Sequence, residues 1–203
     1  LLIPSFGTFG CSLFFFMSGY GMFTSQNKRG GTPTFNYLLA HLKKILIPVA
    51  IVYAINSIVL PYTMGYNDIV INHLNILTLT LPEGTDIWFI KIILFDYITT
   101  FLIFKATTNT NKRLVYIFII QSALILILHI LKTGSYWYIA NLCFVLGALH
   151  TTYPIFKKKY ILTSIAIIVA YYFFSAIDFI NEPMIIIRNI AFCTIATHTI
   201  SRL

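Results

Sequence analysis

A carboxylate inside an apolar run is expensive, and this chain places Asp96 near the middle of the apolar segment 87–104. An ionised Asp at that depth costs about 2.5–3.5 kcal/mol on membrane-insertion scales, so it must be protonated, paired or turned toward a polar interior. The first two options make it a structural carboxyl, the third a site residue. Lys91 and Arg188 lie about a turn inside the ends of their own segments, with Asn141 and His129 at similar depth. Long stems let both cations reach back to the interface, and that is the expectation for each. Turned inward instead, these groups would form a polar chamber. Trp88-Phe89 opens the segment that carries Asp96, just after Glu83 and Asp86. A Trp there anchors to an interface by default, while neighbouring carboxylates can act as acid, base or hydroxyl acceptor.

A second group is basic. His41, Lys43 and Lys44 precede Ile45-Leu46-Ile47-Pro48, after a polar, turn-forming stretch from Gln26 to Gly31. They read as a loop at the mouth of a helix, setting orientation or neutralising the phosphates of an anionic donor. Lys157-Lys158-Lys159 reads as an orientation signal, and His150 and His198 as structural histidines. Cys11, Cys143 and Cys193 all fall in apolar segments without metal-ligand spacing, so they read as small hydrophobes with no metal and no disulfide.

These side chains need elements to hold them, and composition says which. The 203 residues are 58% hydrophobic and only 10% charged, with a mean hydropathy of +0.84. A soluble domain carries about 25% charged residues, so the sequence predicts an integral membrane protein. Seven apolar segments can be drawn, at 4–23, 45–64, 87–104, 114–131, 136–154, 160–179 and 184–200. About 20 helical residues span a bilayer core. No strand alternation with turn spacing appears, which argues against a β-barrel. The predicted fold is all-α: a polytopic transmembrane bundle of about seven helices, one domain over 1–203.

The net charge of +8 does not point to nucleic acid, because the basic residues sit in short connections. Lys28, Arg29, Lys43, Lys44, Lys105, Lys112, Arg113 and Lys157–Lys159 fall on one side. Lys132, Asp68, Glu83, Asp86, Asp178 and Glu182 fall on the other. The positive-inside rule makes the basic side cytoplasmic in a cell membrane, which puts Leu1 outside and implies a preceding helix. Within the long connection 65–86, Ile69, Val70, Ile71, Leu74 and Leu77 predict a short interfacial helix.

The run Leu13-Phe14-Phe15-Phe16-Met17-Ser18-Gly19-Tyr20-Gly21-Met22-Phe23 is an aromatic string broken by Ser-Gly. With Lys43-Lys44-Ile45-Leu46-Ile47-Pro48, then Asp86-Ile87-Trp88-Phe89-Ile90, then Phe144-Val145-Leu146-Gly147, the chain resembles the acyltransferase family 3 membrane O-acyltransferases along its whole length. The resemblance implies a bundle that moves acyl groups, commonly acetyl, from cytoplasmic acyl-CoA to hydroxyls of a cell-envelope carbohydrate. No bound cofactor is implied; acyl-CoA is the donor substrate, and the lipid bilayer and the carbohydrate are the partners. Ser18 and Gly19 match the family's Ser-Gly pair and, with His41, Lys43 and Lys44, fall on the donor path. Glu83, Asp86, Trp88, Lys91, Asp96 and Arg188 fall on the acceptor side or polar chamber. His41 and Lys44 stand where the family has an Arg-x-x-Arg pair, and neither has arginine's bidentate fork. The family's catalytic histidine, a general base or acyl relay, belongs to a helix before the Ser-Gly helix, so it is expected before Leu1. The chain therefore reads as a fragment, trimmed at its start and also at its end. The rival readings are a carrier of a polar or anionic solute, with Asp96, Lys91 and Arg188 along its path, and a non-catalytic remnant of the acyltransferase.

Overall fold

The computed structural model describes residues 3–30, 32–59, 88–131, 138–153, 161–176 and 182–200. Most of those residues are helical, with no strand among them: α1 (Ile3–Arg29), α2 (Phe35–Val59), α3 (Trp88–Ala106), α4 (Thr110–Ile130), α5 (Asn141–Thr152), α6 (Ile161–Ala176) and α7 (Glu182–Ile200). The expected interfacial helix in 65–86 lies outside the described residues, as do Glu83, Asp86, Lys132 and Lys157–Lys159.

Two boundaries correct the sequence reading. α1 runs through Gln26, Lys28 and Arg29 and stops at Gly30, whose φ of +64° is a left-handed backbone that glycine adopts without strain. Its last turn is basic, which suits the negative end of the helix dipole. α2 begins at Phe35, ten residues earlier than expected, so His41, Lys43 and Lys44 lie within a helix and not in a loop. The amide of Tyr37 donates to the Thr34 hydroxyl at 3.4 Å and starts that helix. Pro48 sits inside it and leaves the carbonyl four residues back without a helical donor.

The corner between α3 and α4 is built by local polar chemistry. Asn109 accepts from the Lys112 amide at 3.1 Å and caps α4. Arg113, buried, donates to the carbonyls of Thr107 at 2.7 Å and Phe104 at 3.4 Å, closing the end of α3. Its guanidinium lies 4.4 Å from the Phe104 ring. We expect Asn109→Ala to cost about 1 kcal/mol, read as faster amide exchange in the first turn of α4 and unchanged exchange in α7.

The chain divides into two compact units. Residues 33–101 form one, with α2 and most of α3; residues 1–32 and 102–203 form the other. In the larger unit α5 packs against α1, α4 and α7, and α7 against α1 and α6. Its core is aromatic: Phe15, Phe16, Phe23, Phe104 and Phe144 are fully or almost fully buried. Cys11, Cys143 and Cys193 are free thiols, and Cys143 and Cys193 meet in a side-chain hydrogen bond between α5 and α7.

Polarity is distributed inside out. Ser12, Gln26, Asp96, Thr100, Gln121, Asn141 and Asn189 are buried, whereas Phe118, Ile119, Leu126, Ile127 and Ile130 on α4 are exposed. Among the described residues α4 is long and apolar enough to cross a membrane. α3 carries Lys91, Asp96 and Lys105, and α5 and α6 have only 12 and 16 residues, short of the roughly 20 a straight span needs.

Candidate functional site

The Ser-Gly string and the later glycine meet each other. A Cβ on Gly19 would fall on the carbonyl of Phe144, 2.9 Å from its carbon. A Cβ on Gly147 would fall on the carbonyl of Phe16 and lie 2.8 Å from the Tyr20 nitrogen. α1 and α5 therefore touch backbone to backbone, an approach open only to glycine. Ser18 is buried beside this seam at 9% exposure.

Where the seam ends, the two helices part around an open cleft of ≈ 460 Å³, lined by Tyr20, Thr24, Asn27, Lys28, His150 and Thr151. The imidazole of His150 stands 6.0 Å from both the Phe16 and the Tyr20 rings. Hydroxyls, an amide, an imidazole and an ammonium face one space, a set suited to a polar or anionic ligand. Sequence reading undervalued this group. Its signal was the period: Tyr20, Thr24, Asn27 and Lys28 share one helical face once α1 continues past residue 23.

A second polar cluster lies at the other end of α5. Arg188 is 2% exposed, which corrects the expectation that it reaches back to an interface. Its Nε and Nη2 donate to Asn189 Oδ1 at 3.2 and 2.9 Å, and its guanidinium lies over the rings of Phe9 at 4.6 Å and Tyr171 at 4.5 Å. Asn189 Nδ2 donates to the Ile139 carbonyl at 3.3 Å. His129 Nδ1 is 3.2 Å from the Tyr138 hydroxyl. The turn that leads into α5 is thus gripped from α4 and α7. Just beyond it Asn141 is fully buried, and neither atom of its amide makes a hydrogen bond. Arg188, Asn141 and His129, placed at one depth by sequence, all belong to this unit.

The smaller unit carries the other predicted residues. His41 Nδ1 lies 2.9 Å from the Tyr37 carbonyl, and its ring is 4.3 Å from Tyr37 and 6.0 Å from Tyr97. Lys43 and Lys44 are exposed and Lys91 is half-buried. Asp96 is fully buried, on a stripe with Ile93, Tyr97 and Thr100 whose spacing is one helix face, while Phe95 and Ile98 on the opposite face are exposed. Trp88 is the first residue of α3; its side chain and that of His198 lie outside the described set.

Among the described residues no group of His, Cys, Asp or Glu is placed to hold a metal ion. No curated protein and no solved structure matches the chain. The acyltransferase family 3, described as an acyltransferase domain, matches it over residues 1–201. By that match, which covers nearly all of its length, the chain belongs to the acyltransferase family 3.

Proposed function

We propose that this protein is a membrane-embedded O-acyltransferase that moves an acyl group, acetyl in the simplest case, from acyl-CoA to hydroxyls of a cell-envelope carbohydrate. The observation that carries the reading is the family match over residues 1–201. The inside-out distribution supports the bilayer as solvent: buried Asp96, Asn141 and Arg188 stand against exposed Phe118, Ile119 and Ile127. The donor arrives at the end of α1 that carries Lys28 and Arg29, which is the cytoplasmic end in the positive-inside sense. Ser18, Gly19, His41, Lys43 and Lys44 are assigned to the donor path. Glu83, Asp86, Trp88, Lys91, Asp96 and Arg188 are assigned to the acceptor side.

Transfer breaks the thioester C–S bond and forms an ester C–O bond; a base takes the hydroxyl proton and returns it to the departing thiolate, so the products are the ester and the free thiol of CoA. Asp96, fully buried in a low-dielectric interior, suits a hydrogen-bond role toward a hydroxyl.

The test uses proteoliposomes holding the protein, radiolabelled acetyl-CoA on the basic side and envelope polysaccharide as acceptor. Label should appear as an alkali-labile ester on the polysaccharide, and Asp96→Asn should cut its rate at least about tenfold with an unchanged melting temperature. Label no higher than in empty liposomes overturns the acyltransferase reading. A wild-type rate in Asp96→Asn removes Asp96 from the site.

A further inference from the structure

The cleft beside the glycine seam has a composition more specific than a basic patch. Lys28 brings one positive charge; Thr24, Asn27 and Thr151 bring hydroxyls and an amide; Tyr20 and His150 bring two rings. Tyr20 is 37% exposed, and its ring is tilted 42° from that of His150. A partly exposed ring lining the cleft can take a flat aromatic partner, and ring stacking of this kind tolerates any base. The ≈ 460 Å³ of space lies within the usual range for a small-molecule site, about 300–1,000 Å³.

We infer that this cleft receives the phosphorylated nucleotide end of the acyl donor, its base against Tyr20 and His150 and a phosphate at Lys28. Thr24, Asn27 and Thr151 take the sugar hydroxyls and ring-edge groups, since each can donate and accept. The inference rests on the acyltransferase reading and assigns its donor-recognition residues. The headgroup of an anionic lipid shares the phosphate and hydroxyl chemistry, but it offers no flat ring to Tyr20 and His150.

The experiment is direct binding to the whole protein in nanodiscs of neutral phosphatidylcholine, with adenosine 3′,5′-bisphosphate as the probe. The nucleotide should bind and compete with acetyl-CoA. Lys28→Gln should weaken it roughly tenfold, the scale of one charge-assisted contact. Arg29→Gln, which alters the neighbouring exposed cation outside the cleft lining, should change it less than about twofold. Equal losses in the two variants would mean diffuse electrostatics and would overturn the inference. So would Lys28-dependent displacement of the nucleotide by phosphatidylglycerol added to the nanodiscs, which would give the cleft to a lipid headgroup. Labelled ester formed by Lys28→Gln with an unchanged KM for acetyl-CoA overturns the cleft assignment and leaves the acyltransferase reading intact. Nucleotide binding with no ester formed by the wild type overturns the enzyme reading and leaves the cleft.

Discussion

Gly147→Ala is expected to lower the melting temperature of the purified protein by about 6–12 °C, the equivalent of about 3 kcal/mol for a chain of this size. The new methyl would lie 2.8 Å from the Tyr20 nitrogen and 2.9 Å from the Phe16 carbonyl carbon. Both atoms are helix backbone, so neither can move like a side-chain end. Normal carbon contacts need about 3.5–4 Å, and α1 and α5 would have to separate by close to an ångström along the seam. That separation would loosen Phe15, Phe16 and Phe144, which are fully or almost fully buried. Gly19→Ala should behave alike, because its methyl meets the Phe144 carbonyl. Gly21, two residues away, provides the control. A Cβ there meets nothing within 4 Å, so Gly21→Ala should be neutral or stabilising by up to about 1 kcal/mol through helix propensity. Equal melting of Gly147→Ala and wild type would show that the two backbones do not touch.

Arg188 gives the second large effect, and its sign needs the opposing terms. Two desolvated cation–π contacts contribute about 1–2 kcal/mol each, and hydrogen bonding from a charged donor about 1.5–3 kcal/mol. Against them stands the cost of keeping a cation in an apolar interior, about 2.5–3.5 kcal/mol. Arg188→Leu removes both sides of the balance and leaves Asn189 Oδ1 without the fork that holds it, so the net loss is about 2 kcal/mol. Arg188→Lys should be worse, at about 3 kcal/mol. It keeps the charge and its desolvation cost but lacks the planar fork for Asn189 and the flat face for Phe9 and Tyr171. Melting of the two variants tests this ordering, and Arg188→Lys more stable than Arg188→Leu would reject it. Combined with Asn189→Leu, either change should be strongly non-additive, since the two side chains share one hydrogen-bond pair.

Much of the helical framework was legible from apolar runs. α3, α4 and α7 begin and end within a few residues of the predicted segments 87–104, 114–131 and 184–200, because in these helices the apolar run and the helix nearly coincide. α1 and α2 differ for one reason. Hydropathy marks where a helix is greasy, whereas the backbone stays helical as long as its amides find carbonyls. Residues 24–29 are polar, and 35–44 mix Asn36, His41, Lys43 and Lys44 with apolar neighbours, yet both stretches are helical. His41 and the lysines after it thus moved from a loop to a helix, and Lys28 joined Tyr20 and Thr24 on one face.

The Ser-Gly string and the glycine after Phe144 were both visible as family-like signals, but their meeting was not. Contact between residues more than a hundred positions apart depends on helix rotation, which a single apolar sequence barely encodes when nearly every face is apolar. The buried state of Arg188 was hidden by the same ambiguity, since a long stem reads equally well as reaching out or folding in. Composition and the order of motifs were sufficient for an all-helical acyltransferase family chain, because bulk hydropathy and short motifs are properties of the strand of residues alone. Which side chains share a cleft, which glycines let two backbones touch and which cation is enclosed by rings depended on packing, where a rotation of one helix by 100° moves each residue onto a different neighbour.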